Sequence, residues 1–253
     1  DQTKLAFAFN SPIRNSDIWV YDLKSQTVEQ ITKSDMSGIQ RQSFVAPQLI
    51  EYTTFDGKLI PAWYYRPKTN EPPPPTGNAK STDRLDTPGE PLAMINRDKT
   101  RPPMAGTYDG TGFGSVQTKP IPVIVSVHGG PEAQERPGFN PLYQYYLSRG
   151  YAILAPNVRG STGYGKTFTH LDDVEKREDS VRDLAASVMW LEVNGGADKN
   201  KIAVMGGSYG GYMTMAAVTL YPELWAAAIN TVGIVNWETF LKSTSSYLRR
   251  QRV

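Results

Sequence analysis

The sequence predicts an α/β fold whose second half is built on a mostly parallel sheet. Two segments, 122–127 and 151–156, are continuous apolar runs of the kind that is buried on both faces of a parallel sheet. Two further strands are predicted, at 201–205 and 226–232. Helices are predicted between the strands, at 141–147, 179–193 and 209–220. This alternation of strands and helices indicates a parallel sheet with helices packed on both faces.

The helix predicted at 179–193 shows the helical period most clearly. Its apolar residues recur at intervals of three and four positions: Val181, Leu184, Ala185, Val188 and Leu191. Such spacing places these side chains on one face of the helix. We therefore expect that face to pack against the sheet.

The first 35 residues are of a different kind. They contain three short β-rich segments separated by turn-forming residues, at 5–9, 18–21 and 27–31. Strands at this spacing are typical of a β-meander, and we expect residues 1–35 to be the remnant of a β-propeller blade. Alone they bury too little surface to fold. A β-hairpin is predicted next, at 48–66, with Asp56 and Gly57 in its turn.

Residues 69–119 are expected to be a disordered insertion. The segment holds 8 prolines and 6 glycines in 51 residues, a fraction in the range of low-complexity chains. It shows neither the period of a strand nor that of a helix, and structureless loops of this length are uncommon inside compact domains. The domain that follows it covers residues 120–253.

The composition excludes several classes of function. The net charge is +2 over 253 residues, which is too small to favour a nucleic-acid partner. No apolar run approaches the roughly 18 residues that would cross a membrane, so no membrane partner is predicted. The absence of cysteine removes thiolate chemistry and cysteine metal sites. No cofactor or metal ion is predicted; the compartment is not fixed by these features, and the cytoplasm is favoured.

The motif that carries chemistry is G-G-S-Y-G at residues 206–210. The predicted strand 201–205 runs directly into it and a predicted helix leaves it, which is the setting of the nucleophile elbow of α/β-hydrolases. In this turn a serine hydroxyl stands above the sheet edge, so Ser208 is the predicted nucleophile. The free N–H of Tyr209 is a predicted donor to the oxyanion. The alternative is a glycine-rich turn with an incidental serine.

A second oxyanion donor is expected from H-G-G-P at residues 128–131. In α/β-hydrolases this donor comes from the loop after an earlier strand, and the motif directly follows the predicted strand 122–127. The candidate residues are His128 and Gly129. The alternative is a tight turn with no part in binding.

No histidine follows Ser208 to serve as the general base. The triad of an α/β-hydrolase runs in the order Ser, then Asp or Glu, then His, but His128 and His170 both precede Ser208. A serine hydroxyl without a base is a poor nucleophile. We therefore expect an incomplete α/β-hydrolase, an internal piece of a longer enzyme that ends before the acid and the histidine, and we expect the chain alone to be inactive.

Four motifs occur in a fixed order: H-G-G-P at 128–131, N-V-R-G-S-T-G-Y-G at 157–165, K-R-E-D at 176–179 and G-G-S-Y-G-G-Y-M at 206–213. As a set they resemble the prolyl oligopeptidase family of serine peptidases. Its dipeptidyl-peptidase and acylaminoacyl-peptidase branches are the most similar. The resemblance covers roughly 120–242, with weaker agreement over 1–66.

The resemblance implies cleavage of short peptides through an acyl-enzyme on Ser208, with a propeller that restricts access. It implies oxyanion donors in the backbone of Tyr209 and Gly129, and it places His128 where several relatives carry an oxyanion tyrosine. Three residues are implied to line the pocket for the residue before the cut bond: Ile234, Trp237 and Phe240. Ordinary core packing is the alternative for these three. The long segment 69–119 departs from the family, whose loop at this place is short.

Other hypotheses have some support. Residues 160–167 match the phosphate-loop pattern G-x-x-x-x-G-K-[ST], but the residues that follow lack the apolar stripe of a helix packed on a sheet. Nucleotide binding is therefore not favoured. An esterase or lipase would share the fold and the G-x-S-x-G motif. A protein that acts only by binding is the third alternative.

Overall fold

The computed structural model describes residues 3–36, 38–68 and 120–244. The predicted insertion 69–119 lies outside the described residues. Two sheets are present in the described ranges. The first is antiparallel and three-stranded, in the order β1 (Lys4–Ser11), β2 (Arg14–Asp22) and β3 (Thr27–Gln30).

The small sheet is the meander that the sequence predicts, with a longer central strand. β2 begins four residues earlier than expected because Arg14 pairs with Ser11 at the end of β1. The carboxylate of Asp17 ties the segment after β3 to β2: it accepts hydrogen bonds from Thr32 Oγ1 (3.0 Å) and from the Ser34 N–H (2.8 Å). Many apolar side chains of this sheet are exposed, among them Leu5, Phe7, Ile18 and Val28.

The second sheet has six strands in the order β4-β5-β7-β6-β8-β9. Their bounds are β4 Gln48–Thr53, β5 Leu59–Tyr65, β6 Ile121–Val127, β7 Ala152–Pro156, β8 Ala197–Gly207 and β9 Ala227–Thr231. β4 and β5 form the predicted hairpin, and β5 runs antiparallel to β7. The remaining pairs, β7 with β6, β6 with β8 and β8 with β9, are parallel. The predicted α/β fold on a mostly parallel sheet is confirmed.

Helices cover both faces of this sheet. In the described ranges they are α1 (Pro141–Ser148), α2 (Lys166–Thr169), α3 (Arg177–Trp190), α4 (Tyr209–Leu220) and α5 (Trp237–Ser243). α3 and α4 contribute to the core on one face and α1 to the core on the other. Four of the five apolar positions predicted to face the sheet from α3 and the turn after it are buried, namely Val181, Leu184, Val188 and Leu191, and Ala185 is half-buried. No helix in the described part of the chain has the length and apolar character needed to cross a membrane.

The position of the central strand β6 determines where the loops of the site meet. It is buried along its whole length, with Val123 and Val125 in the core beneath α3 and α4 and Ile124 in the core beneath α1. β6 and β8 are parallel neighbours, and Val127 lies opposite Gly206. The loops that follow these two strands therefore emerge side by side at the carboxyl edge of the sheet. β9 is the outermost strand beyond β8, and its five residues are exposed.

The two sheets are in contact through α1. The side-chain amide of Gln144 donates to the carbonyl oxygens of Pro12 (3.0 Å) and Val45 (2.8 Å). Its amide oxygen accepts from the Val45 N–H (2.9 Å). One buried side chain thus connects α1, the segment before β4 and the turn between β1 and β2.

A buried ion network joins the hairpin turn to α3. Arg159, which follows β7, is 2 % exposed. Its Nη2 lies 2.8 Å from Asp183 Oδ1 in α3 and 3.1 Å from Asp56 Oδ1 in the turn between β4 and β5. Asp183 also accepts hydrogen bonds from the Arg159 N–H and from Thr54 Oγ1. The network fixes the start of the loop after β7.

We expect Asp183→Ala to lower the free energy of unfolding by about 3–5 kcal/mol, because it leaves the buried charge of Arg159 without its nearest partner. Asp179→Ala is the matched control. Asp179 lies 3.5 Å from the same guanidinium group but is partly exposed, so we expect a loss of about 1 kcal/mol or less. Urea unfolding followed by circular dichroism measures both values. Equal, small losses would contradict a structural role for the network.

Candidate active site

Ser208 lies in a sharp turn between β8 and α4. β8 ends at Gly207, α4 begins at Tyr209, and Ser208 has φ 55° and ψ −118°. A positive φ of this kind is strained for a residue other than glycine and persists only where the surroundings hold it. The Ser208 N–H donates to the carbonyl oxygen of Thr231 in β9 (3.1 Å), and its own carbonyl accepts from the Gly211 N–H (3.0 Å). The Ser208 residue is exposed.

Two glycines give this turn its space. A Cβ atom on Gly206 would overlap the carbonyl oxygen of Gly210, and one on Gly210 would overlap the carbonyl oxygen of Val127 in β6. The backbones of β6, β8 and the first turn of α4 therefore meet at distances that leave no room for a side chain. Close approach is the physical reason why the motif has glycine at both positions.

The loop after β6 lies against the elbow. A Cβ atom on Gly129 would be 3.6 Å from Ser208 Cβ and 3.5 Å from the carbonyl oxygen of Gly207. A carbonyl group bound at Ser208 would have the backbone of Gly129 on one side and the N–H of Tyr209 on the other. Because Tyr209 is the first residue of α4, its N–H has no partner within the helix. This is the juxtaposition that the predicted oxyanion site requires.

The ring of His128 is engaged within this loop. Its Nδ1 lies 2.6 Å from the carbonyl oxygen of Gly129, and its Nε2 lies 2.9 Å from Ser161 Oγ. Since a carbonyl only accepts, we assign the proton to Nδ1, which leaves Nε2 to accept from the Ser161 hydroxyl. Burial lowers the pKa of His128, which favours the neutral ring. The hydrogen bond from Ser161 Oγ to Nε2 holds the ring and the loop in place. For the His128 side chain to contact an oxyanion, this hydrogen bond would have to break.

The other histidine of the sequence, His170, is paired elsewhere. Its Nδ1 lies 2.8 Å from Asp173 Oδ2, and both side chains are about half exposed. In the described part of the chain, no hydrogen bond joins either histidine ring to Ser208. The same ranges contain no group of three His, Asp or Glu side chains that could hold a metal ion.

Of the three residues predicted to line a pocket, Trp237 lies beside the first turns of α4 and Phe240 packs on Trp237. The ring of Trp237 is 6.3 Å from that of Tyr209 and 5.0 Å from that of Tyr212, and Phe240 is 5.9 Å from Trp237. Ile234 is buried. Trp237 also packs against the hydrophobic core, so it has a structural role whatever else it does. Contact of these residues with a substrate stays a prediction.

The glycine-rich loop after β7 packs on the loop after β6. Asn157 joins them: its Oδ1 accepts from the Glu135 N–H (2.7 Å), and its Nδ2 donates to the Tyr164 hydroxyl (2.8 Å). A phosphate loop would lead into a helix packed on the sheet. Here α2 has four residues and none of them is buried, so the structure gives no support to nucleotide binding at 160–167.

Sequence reasoning missed a buried cluster behind the elbow. Tyr209 Oη donates to Asp172 Oδ2 at 3.1 Å, and Arg177 Nη1 lies 2.6 Å from the same carboxylate oxygen. Arg177 belongs to the K-R-E-D motif, but nothing in the motif indicates its partner. Asp172 lies in a polar segment without a periodic pattern and is 37 residues from Tyr209, so no local spacing signals the contact.

Glu135 is another group that the sequence did not single out. Burial raises its pKa from 4.5 to about 7, and a hydrogen bond with Tyr143 opposes this shift only in part. Tyr143 Oη is also hydrogen-bonded to Ser126 Oγ in β6, at 2.8 Å. The loop next to the candidate site therefore contains a carboxyl group that changes its charge near neutral pH.

We expect the protein to lose stability as the pH rises from 4.5 through about 7, and Glu135→Gln to remove about 1–3 kcal/mol of this loss. The raised pKa means that the folded state binds the proton more tightly than the unfolded state. The resulting stabilisation is complete below pH 4.5 and is lost above pH 7 or so. Thermal unfolding across this range measures the effect, with Glu132→Gln, exposed in the same loop, as control. Identical pH profiles for the parent and Glu135→Gln would contradict the assignment.

The fold and the turn at Ser208 together define the class of protein. Among α/β proteins, a nucleophile elbow at the carboxyl edge of the sheet is the mark of the α/β-hydrolases. Residues 137–253 match the sequence model of the prolyl oligopeptidase family. Over this segment the chain is similar to that family, and the resemblance seen in the motifs is confirmed.

One curated relative and two solved structures are similar to this chain. Dipeptidyl aminopeptidase BIII of Pseudoxanthomonas mexicana is 39 % identical over 128 residues, which are 51 % of this chain and 19 % of that protein. The crystal structure of puromycin hydrolase covers 98 % of this chain with a TM-score of 0.72 at 20 % identity. The acylaminoacyl peptidase of Pyrococcus horikoshii covers 98 % with a TM-score of 0.68 at 22 % identity.

The identity to the two solved structures is low, and the chain corresponds to only part of each similar protein. At 20 % and 22 % identity the two solved structures support the fold alone. The chain spans 19 % of the length of the curated relative and 31 % and 32 % of the two solved chains.

Proposed function

We propose that this chain carries the nucleophile and the oxyanion-binding backbone of a serine peptidase that cleaves short peptides through an acyl-enzyme. The observation that supports the proposal is the exposed Ser208, held at φ 55° with the backbone of Gly129 beside it. The match of residues 137–253 to the prolyl oligopeptidase family favours a peptide over another acyl substrate.

In the proposed reaction the Ser208 hydroxyl oxygen attacks the carbonyl carbon of the peptide bond, and its proton passes to a general base. The charge that develops on the carbonyl oxygen is held by the N–H of Tyr209 and the backbone of Gly129. As the tetrahedral species collapses, the protonated base gives its proton to the leaving nitrogen, the C–N bond breaks, the amine departs and an ester is left on Ser208. Water then attacks this ester and releases the acid.

We propose that the general base is a histidine outside residues 1–253. Both histidines of the sequence are engaged, His128 with Gly129 and Ser161 and His170 with Asp173. On this hypothesis the 253-residue chain alone does not turn over, because a serine hydroxyl needs an adjacent base to act at neutral pH.

We further propose that Ile234, Trp237 and Phe240 contact the substrate residue before the cut bond. The position of Trp237 beside the first turns of α4, which begins directly after Ser208, supports this role, as does the packing of Phe240 on Trp237.

Residues 1–35 are proposed to be the end of a β-propeller that restricts access to the site. The antiparallel meander supports this proposal, as do its exposed apolar side chains, which an adjoining blade would cover. The contact of Gln144 with Pro12 would hold such a propeller against the hydrolase domain.

The proposed function is tested with the full-length product of the gene. It is assayed on aminoacyl p-nitroanilides and on a p-nitrophenyl acyl ester, beside the 253-residue chain. Turnover of the nitroanilides by the full-length product alone is the expected result. Turnover of the ester only would favour an esterase, and nitroanilide turnover by the 253-residue chain would contradict the proposed location of the base.

A further inference from the structure

We propose that Asp172 and Arg177 are positioning residues for the oxyanion donor at Tyr209, and that they act through the buried hydroxyl of the same tyrosine. The inference rests on the proposed function, because it concerns the N–H that would hold the oxyanion. On this proposal the backbone N–H of Tyr209 donates to the oxyanion. The side chain of the same residue, which is buried, holds the turn in place.

The side chain of Tyr209 is bound at its polar end and along its face. Tyr209 is 1 % exposed, and its Oη donates to Asp172 Oδ2 at 3.1 Å. Arg177 Nη1 and Ser180 Oγ each lie 3.4 Å from the same phenolic oxygen. The guanidinium carbon of Arg177 is 5.6 Å from the centre of the ring, a distance at which a cation is attracted to an aromatic face.

The carboxylate of Asp172 is itself held on two sides. Asp172 is 1 % exposed and forms an ion pair with Arg177 at 2.6 Å. On its other side, a Cβ atom on Gly160 would overlap the Asp172 carboxyl group. A buried carboxylate tolerates little displacement, because separation from its charge partner is costly away from water. The Tyr209 hydroxyl is therefore tied to a fixed point beside the loop after β7.

This tie bears on the reaction because the strained residue and the anchored residue are neighbours. If Ser208 relaxed from its φ of 55°, the peptide group between Ser208 and Tyr209 would turn and carry the Tyr209 N–H with it. The Tyr209 ring also packs against the rings of Tyr212 (5.5 Å) and Trp237 (6.3 Å). A ring held by these contacts and by the bond to Asp172 restrains the peptide group, and a misplaced donor loses much of its effect on the transition state.

A merely structural role is the alternative, since any buried hydroxyl requires a hydrogen-bond partner. Tyr64 offers a matched control for it. Tyr64 is 1 % exposed, and its hydroxyl donates to the Gly195 carbonyl at 2.6 Å, away from the elbow. Tyr64→Phe therefore removes a buried, hydrogen-bonded hydroxyl of the same kind and leaves the contacts among Tyr209, Asp172 and Arg177 unchanged.

The test uses the full-length product of the gene. Tyr209→Phe and Asp172→Asn are each expected to lower kcat about tenfold and to leave KM within about twofold. Affinity for a peptide boronic acid, which mimics the tetrahedral adduct, is expected to fall by a similar factor. Tyr64→Phe is expected to lower the Tm by about as much as Tyr209→Phe does and to leave kcat and boronate affinity unchanged.

A readout besides activity separates this proposal from the proposed function. Hydrogen exchange of the amides at 208–212, measured by mass spectrometry, is expected to be faster in Tyr209→Phe and Asp172→Asn than in the parent and in Tyr64→Phe. Unchanged exchange and unchanged kcat in both site variants would overturn the proposal, as would losses equal to those of Tyr64→Phe. If the parent hydrolyses neither peptide nor ester, the proposed function fails, and the exchange comparison still decides whether the pair positions this amide.

Discussion

Replacement of Ser208 by alanine in the full-length product of the gene is expected to reduce hydrolysis of a peptide nitroanilide by about 10⁴-fold or more. The bond-forming atom of the proposed reaction is the Ser208 hydroxyl oxygen, and alanine leaves only substrate binding and the oxyanion backbone. Because Ser208 is exposed, the fold should survive the change. Measurements of kcat/KM and labelling by a fluorophosphonate probe give the result, and circular dichroism checks the fold.

Ser148→Ala is the control for this variant, since Ser148 is exposed at the end of α1. It should keep full activity and full labelling. Activity above about 1 % of the parent in Ser208→Ala would place the nucleophile elsewhere. Mapping the labelled residue by mass spectrometry would then identify it, and the turn at 206–210 would be a structural feature only.

Gly206→Ala should have the second-largest effect, a fall in kcat/KM of about 10²- to 10³-fold with a loss of about 2–4 kcal/mol in the free energy of unfolding. The new Cβ atom would overlap the carbonyl oxygen of Gly210 in the first turn of α4. β8 and α4 would have to separate, and both Ser208 and the Tyr209 N–H would move with them. Kinetics on an aminoacyl nitroanilide and urea unfolding measure the two losses.

Gly207→Ala supplies the comparison, because a Cβ atom there would have its nearest neighbour, the carbonyl oxygen of Thr231, at an ordinary 3.5 Å. We expect its kcat/KM to stay within about threefold of the parent. If Gly206→Ala and Gly207→Ala lose activity equally, the overlap at Gly210 is not what gives the elbow its shape. Active-site titration corrects both values for the fraction of folded enzyme.

The parts of the site that could be predicted from the sequence are those that a short motif imposes on its own backbone. The elbow at Ser208 and the loop at 128–131 are of this kind, since glycine at fixed positions reveals where backbones come close. The bounds of β8 were harder to predict from the sequence. The strand begins at Ala197, which lies opposite Ile121 of β6, and regular pairing with β6 resumes at Ile202, opposite Val123. The polar residues 198–201 form an irregularity between these two points, and hydrophobicity gives no sign of the pairing at Ala197.

The buried charges could not be predicted, because their partners are distant in the sequence. Arg159 is 24 residues from Asp183 and 103 residues from Asp56. Charged residues without a period have the pattern of a solvated surface, and only the assembled sheet brings these groups together away from water. The same holds for Asp172 and Tyr209, which the sequence leaves unconnected.

β9 connects the rim of the sheet with the nucleophile. Thr231 in this outermost strand accepts the hydrogen bond from the Ser208 N–H, so fluctuations of the rim reach the strained peptide through one bond. A strand that paired with the outer side of β9 would damp these fluctuations and narrow the range of orientations open to the serine hydroxyl, without contact with a substrate.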